Sequence, residues 1–89
     1  MTIRKRVLYR GHVQGVGFRA TCHHIAAGHA VAGWVKNLTD GGVELVAEGE
    51  PAALAAFLDA IAEELGHHVG ETTEFDEPPR GERGFRIAR

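Results

Sequence analysis

From Arg4 to Arg10 the chain alternates in character. Val7 and Tyr9 share one parity while Arg4, Arg6 and Arg10 share the other, with Leu8 among them, which is the period of two of a half-buried strand. Gly11, Gly15 and Gly17 then crowd a short loop, and from Phe18 the period lengthens. Phe18, Cys22, Ile25, Ala26 and His29 recur at three- and four-residue spacing, which predicts a helix ending near Gly28. Residues 30–37 read as a second strand. Thr39-Asp40-Gly41-Gly42 reads as a hairpin turn, because Asp-Gly supplies the positive φ that tight turns need. A third strand sets Val43, Leu45 and Ala47 against Glu44 and Glu48 and ends at Gly49. Pro51 suits a first helical turn, Leu54, Phe57, Leu58, Ile61 and Leu65 make an apolar stripe, and Gly66 stops that helix. A fourth strand around Val69–Phe75 and a short fifth around Phe85–Ile87 follow, separated by Pro78-Pro79-Arg80-Gly81.

The order β-α-β-β-α-β, plus a short C-terminal strand, predicts an α+β fold. Two helices with one apolar stripe each would pack on one face of a mainly antiparallel sheet, as in the ferredoxin-like α/β sandwich. The expected core is Val7, Tyr9, Cys22, Ile25, Val31, Val35, Val43, Leu45, Leu54, Phe57, Leu58, Ile61 and Leu65. With no repeat, linker or low-complexity tract, residues 1–89 read as a single domain. That architecture hosts enzymes, carriers and RNA binders alike, so it does not name a function.

Composition narrows the classes. Apolar residues at 44% and charged residues at 25% are ordinary globular values. No apolar run approaches the ~20 residues of a membrane span, and Met1-Thr2-Ile3-Arg4-Lys5-Arg6 does not lead into a signal-peptide core. The single cysteine, Cys22, allows neither an internal disulfide nor a cysteine-based zinc cluster, which points to a reducing cytoplasm. The net charge of −2 hides an asymmetry: residues 1–39 carry six basic side chains (Arg4, Lys5, Arg6, Arg10, Arg19, Lys36) and no acidic one. All twelve acidic residues lie beyond them. Such a stretch offers a local positive field for an anion. Arg4, Lys5 and Arg6 read as decoration of a solvated strand. A chain without net basic character makes general nucleic-acid binding a poor fit.

The segment Gly11-His12-Val13-Gln14-Gly15-Val16-Gly17-Phe18-Arg19 joins a strand to a helix N-terminus. Such a junction suits an anion: successive backbone N–H groups can converge, and the first helical turn adds unpaired donors. Glycines let the main chain bend and leave no side chain in the way. Arg19 adds a permanent cation whose planar fork matches phosphate oxygens two at a time. The loop lacks both the Gly-Lys-Ser/Thr ending of a Walker A sequence and the acidic partner of a dinucleotide fingerprint. Glycines alone fit a tight turn equally well.

That same segment resembles the first signature of the acylphosphatase family. Gly33-Trp34-Val35-Lys36-Asn37-Leu38-Thr39-Asp40-Gly41-Gly42-Val43, continuing through Glu44-Leu45-Val46-Ala47-Glu48-Gly49, resembles its second. The resemblance extends to the Gly84-Phe85-Arg86-Ile87 ending and so covers nearly the whole chain. It implies a hydrolase that splits the carboxyl-phosphate anhydride of an acyl phosphate into carboxylate and inorganic phosphate, with phosphate as product inhibitor and no cofactor or metal. It also implies that Arg19 and the backbone amides of Gln14, Gly15, Val16, Gly17 and Phe18 hold the phosphoryl group, and that Asn37 holds the attacking water. Two departures stand out: Tyr9-Arg10 replace an aliphatic and a small polar residue before the first glycine, and Ala20-Thr21 follow Arg19 where many relatives have an aromatic. Tyr9 falls on the core parity, so its hydroxyl requires a partner.

Other candidates have plainer readings. Cys22 lies on the buried stripe as a small hydrophobe rather than a nucleophile beside His23 or His24. The pairs His23-His24 and His67-His68 are poor joint metal ligands on regular elements. His12 would add charge near the loop when protonated, or simply face solvent. Asn37 at a turn entry has a purely local reading, a hydrogen bond within the turn. Trp34, opposite in parity to Val35, covers the far face of the sheet. An RNA-binding sheet is disfavoured, since the third strand shows Glu44 and Glu48 outward and no aromatic. Two alternatives to a free-standing, monomeric enzyme remain: a module of a larger hydrogenase-maturation protein, and a non-catalytic anion-binding or regulatory module of the same fold. The chain's end near the last strand favours the free-standing enzyme.

Overall fold

The computed structural model describes residues 1–89. Its elements are β1 (Ile3–Gly11), α1 (Phe18–Ala26), β2 (Ala32–Asn37), β3 (Val43–Gly49), α2 (Pro51–Leu65), a single 3₁₀ turn (Gly66–His68), β4 (Val69–Glu77) and β5 (Phe85–Ile87). The sheet order is β4-β1-β3-β2-β5. β1 pairs antiparallel with β3 and β4, β2 antiparallel with β3, and β5 parallel with β2. Two strand-helix-strand units are therefore interleaved, each with a strand of the other between its own two, which is the ferredoxin-like arrangement anticipated from the alternation.

One face of the sheet is the core. Val7, Tyr9, Val35, Val43, Leu45 and Ala47 meet Phe18, Cys22 and Ala26 of α1 and Leu54, Phe57, Ile61 and Leu65 of α2 in one buried cluster. The expected Ile25, Val31 and Leu58 pack against its margin half-buried, while Val13 and Phe18 join it fully. The stripe of α2 works because spacings of three and four put its apolar residues on one side; Pro51 starts the helix at a position whose N–H needs no partner.

The other face corrects the reading of a solvated, basic strand. Arg4 is only 3% exposed and Glu48 only 4%. Arg4 donates to Glu48 at 2.8 Å, Glu77 at 2.9 Å and Glu82 at 2.9 Å. The Glu48 carboxylate also accepts the backbone N–H groups of Arg80, Gly81 and Glu82, at 2.7, 3.0 and 3.1 Å. The segment after β4 thus straps across this face before entering β5. Lys5, on the parity of Val7 and Tyr9 and so on the helix side of the sheet, pairs with Asp76 at 2.9 Å. On the face of Arg4, Arg6 pairs with Glu77 at 3.1 Å and Glu44 at 3.3 Å, its guanidinium lying 4.4 Å from the Phe75 ring centroid. Parity gives the direction of these side chains correctly; the register that brings carboxylates opposite them belongs to strands distant in sequence. Trp34 does lie on this face, half-buried, with the Lys36 ammonium 5.4 Å from its ring.

Candidate active site

The loop between β1 and α1 bends because Gly15 and Gly17 both adopt positive φ, 78° and 76°. A side chain at either would strain the backbone, although a Cβ there would meet nothing within 4 Å. The space in front of the loop is open. Gly17 is also the N-cap of α1 and, having no side chain, leaves the first-turn N–H groups without a capping bond; no acidic residue stands in that turn. These donors and the helix dipole form an electropositive corner built from backbone alone.

A cavity of about 230 Å³ opens there, lined by Val13, Gly15, Gly17, Phe18, Arg19, Ala20, Asn37 and Ile87. Of the residues singled out in the sequence it brings together Gly15, Gly17, Phe18, Arg19 and Asn37. Gln14 and Val16 do not line it: Val16 leans against the core, and the Gln14 side chain turns away to the β2–β3 hairpin. Val13 and Ile87 are additions to the expected set. Val13, an apolar side chain inside a glycine-rich loop, carries a signal of inward packing. Ile87 carries none, since it arrives only through the parallel pairing of β5 with β2.

Two side chains of the cavity lack partners in the protein. Arg19 makes no ion pair, whereas the other five basic residues of the first 39 each face a carboxylate: Arg4, Lys5 and Arg6 as described, Arg10 with Asp40 at 2.7 Å, Lys36 with Glu44 at 3.8 Å. The Asn37 amide makes no hydrogen bond within the chain. The local turn bond is made by Asp40, whose Oδ1 accepts the Gly42 N–H at 2.9 Å. That bond and Arg10 hold the Asp40 carboxyl below its ordinary range.

The remaining candidates fall outside the cavity. Cys22 is fully buried, and burial pushes its thiol up to about 12, leaving it a core atom rather than a nucleophile. His67 and His68 stack with ring centroids 3.9 Å apart, and His12 lies 6.3 Å from His68. Burial and these two neighbouring rings lower the His68 pKa. No group of three or more His, Cys, Asp or Glu side chains is disposed to hold a metal ion. The Tyr9 hydroxyl finds no protein partner; its residue borders a second cavity, of about 340 Å³, between α2 and β4.

An uncapped helix N-terminus, a glycine-bent loop and an arginine without a carboxylate partner thus meet at one cavity of an interleaved α+β sandwich, a setting chemically suited to an anion. The family model described as Acylphosphatase matches residues 5–87, and the chain belongs to that family of hydrolases acting on acyl phosphates. It is 46% identical over 86 residues to an acylphosphatase of Synechococcus sp. (strain JA-2-3B'a(2-13)), covering 96% of this chain and 92% of the relative. Its fold superimposes on the crystal structure of acylphosphatase from Bacillus subtilis with a TM-score of 0.88 at 34% identity, covering all of both chains. It also matches the T. kodakarensis HypF structure with a TM-score of 0.81 at 32% identity, covering 100% of this chain and 12% of that one.

Proposed function

We propose that the chain hydrolyses acyl phosphates at this cavity, with Arg19 and the backbone N–H groups from Gln14 to Phe18 holding the phosphoryl group and Asn37 holding the attacking water. The observation that carries this reading is the pairing pattern: Arg19 alone among the early basic residues has no carboxylate, and it stands on the same cavity wall as the uncapped helix end. The Arg19 fork and the loop amides match an incoming dianion and stabilise the charge on the equatorial oxygens as the phosphorus–oxygen bond breaks. Asn37, which lines the same cavity and whose side-chain amide is free of local bonds, orients water in line with the departing carboxylate. That leaving group is a stable anion, so its departure needs little proton donation, and neither a covalent nucleophile nor a metal is required. Val13, Phe18, Ala20 and Ile87 give the cavity its apolar part, and Ala20 leaves the rim open for the acyl group.

The chain acts as a single-domain, cytoplasmic monomer in this reading. Supporting this are the lone buried thiol and the exposed edge strand β4, whose Glu71, Glu74, Asp76 and Glu77 discourage edge-to-edge pairing. No helix is long and apolar enough to cross a membrane. The ion-paired sheet face offers no free basic row for nucleic acid. The purified protein should hydrolyse a synthetic aroyl phosphate, with competitive inhibition by inorganic phosphate and full activity after exhaustive chelation. Phosphate binding without turnover would establish the non-catalytic module instead. Activity lost on chelation and restored by a divalent ion would return the histidine pairs to the mechanism.

A further inference from the structure

We infer that Gln14 is the positioning residue that sets the distance between the phosphate-binding loop and Asn37, an inference that rests on the roles proposed above for Arg19, the loop and Asn37. The Gln14 side chain is half-buried, and its Nε2 donates to two carbonyls, Leu38 O at 2.7 Å and Gly42 O at 2.8 Å. Only the –NH₂ end of the amide can serve two carbonyls, so the chemistry fixes its orientation. Leu38 directly follows Asn37, and Gly42 directly precedes Val43, the residue paired with Asn37 across the hairpin. Gly42 O also accepts the Leu38 N–H at 2.8 Å. One amide therefore closes on the base of the hairpin immediately behind Asn37, while its own backbone joins Val13 and Gly15, both of which line the cavity.

No other bond of comparable burial makes this link. β1 and β2 are separated in the sheet by β3, so no ladder hydrogen bond holds the loop after β1 to the end of β2. The loop bends at two positive-φ glycines, which set its curvature but not its distance from a neighbouring turn. The Arg10–Asp40 pair joins the same two regions, but both side chains are largely exposed, at 41% and 53%. Such a pair holds a spacing weakly. In-line attack depends on the separation between the phosphorus held by the loop and the water held by Asn37, and Gln14 is the half-buried tie between those two segments.

Gln14→Glu tests this at constant size, because a carboxylate cannot donate and would set negative oxygens against two carbonyls. Gln14→Met removes the donors without adding charge and serves if the first variant folds poorly. The expected result is a fall in kcat of about tenfold to a hundredfold, as for a misplacement of about an ångström. The inhibition constant for inorganic phosphate should move less than about threefold, since the loop itself is intact. In Gln14→Glu the ratio of kcat to wild type at the same pH should climb as pH falls through the ordinary carboxyl range near about 4.3. There the introduced carboxyl regains one O–H donor, whereas Gln14→Met should show no such recovery. A phosphate inhibition constant that worsens in step with kcat would overturn the inference, because Gln14 would then be shaping the loop itself. Lower thermal stability with kcat per folded molecule unchanged would also overturn it, leaving a structural role. Arg19→Ala, measured alongside, separates the levels: undiminished phosphate inhibition in that variant sinks the underlying site assignment whatever the Gln14 variants do.

Discussion

Two regions of this molecule treat arginine in opposite ways. On the open face of the sheet Arg4 is removed from water and surrounded by Glu48, Glu77 and Glu82, while Glu48 is in turn held by three backbone N–H groups of the strap. At the mouth of the loop Arg19 has backbone donors for neighbours and no carboxylate at all. Burying a charge is costly unless the protein replaces the hydrogen bonds that water had made to it, and the sheet face does so. Arg19 stays partly exposed with no such replacement, and in the proposed function a dianion from solution completes its electrostatics. The same residue type is structural where its partners are covalently part of the chain and, in the proposed function, binds substrate where its partner must be supplied.

That contrast breaks most sharply under Arg19→Ala. With only neutral amides left to meet a dianion, kcat/KM for an acyl phosphate should fall by about three orders of magnitude or more, and phosphate inhibition should vanish. Arg19→Lys should recover little, since a point charge lacks the two-pronged fork. The melting temperature should hardly move, because no intramolecular pair is removed. A stable, fully active Arg19→Ala protein would erase the distinction between the two regions.

Asn37→Ala tests the uncharged half of the site. Loss of an oriented polar group should lower kcat by about two orders of magnitude. Phosphate inhibition should persist and stability should change by no more than about 1–2 kcal/mol. Because Asp40 makes the turn bond, a large drop in stability with full activity would be the surprising result and would remove Asn37 from the mechanism.

The sheet face should respond in the reverse sense. Glu48→Ala leaves Arg4 buried with fewer partners and strips three N–H groups of their acceptor, which should cost about 3 kcal/mol. Activity per folded molecule should stay near wild type, read from kcat after correcting for the folded fraction. A drop in that corrected activity would mean that the strap carries more than stability to Ile87.

Acid gives the gentlest test. Burial works to raise the Glu48 pKa but is outweighed by the Arg80 N–H, Arg4 and the other strap donors, so the net shift is downward. Glu77 is lowered chiefly by its bond to Arg4, and Asp40 chiefly by the Gly42 N–H. Groups whose folded pKa lies below the unfolded value stabilise fully above the ordinary carboxylate range and lose that contribution as pH falls through their folded pKa. The melting temperature should therefore be flat at neutral pH and decline below about pH 4. The decline should be shallower in Glu48→Ala.

How much of this is legible varies with sequence distance. The order of strands, helices and turns follows from parity and glycine placement, because those patterns reflect backbone periods that local residues set. The loop, Arg19 and Asn37 are legible because two contiguous segments carry them. Arg4 reads as solvated, and wrongly so, since its three carboxylates come from residues 48, 77 and 82, and no local pattern announces them. Ile87 is silent for a related reason. The Gln14 side chain is inconspicuous because the glycines around it point to backbone donors, and its two acceptors lie in a hairpin more than twenty residues away.

Taken alone, the sequence determined the element order, the core-facing parity of the first three strands, the apolar stripes of both helices and the residues that can face an anion. Those are consequences of covalent geometry and of which side chains water rejects, both expressed within a few residues. The tertiary structure decided which of the early basic charges were cancelled and that Arg19 was left without a carboxylate. Coulomb interactions depend on distance in space and on exclusion of water, and both are settled only when β4, the strap and the β2–β3 hairpin pack against β1 and its loop.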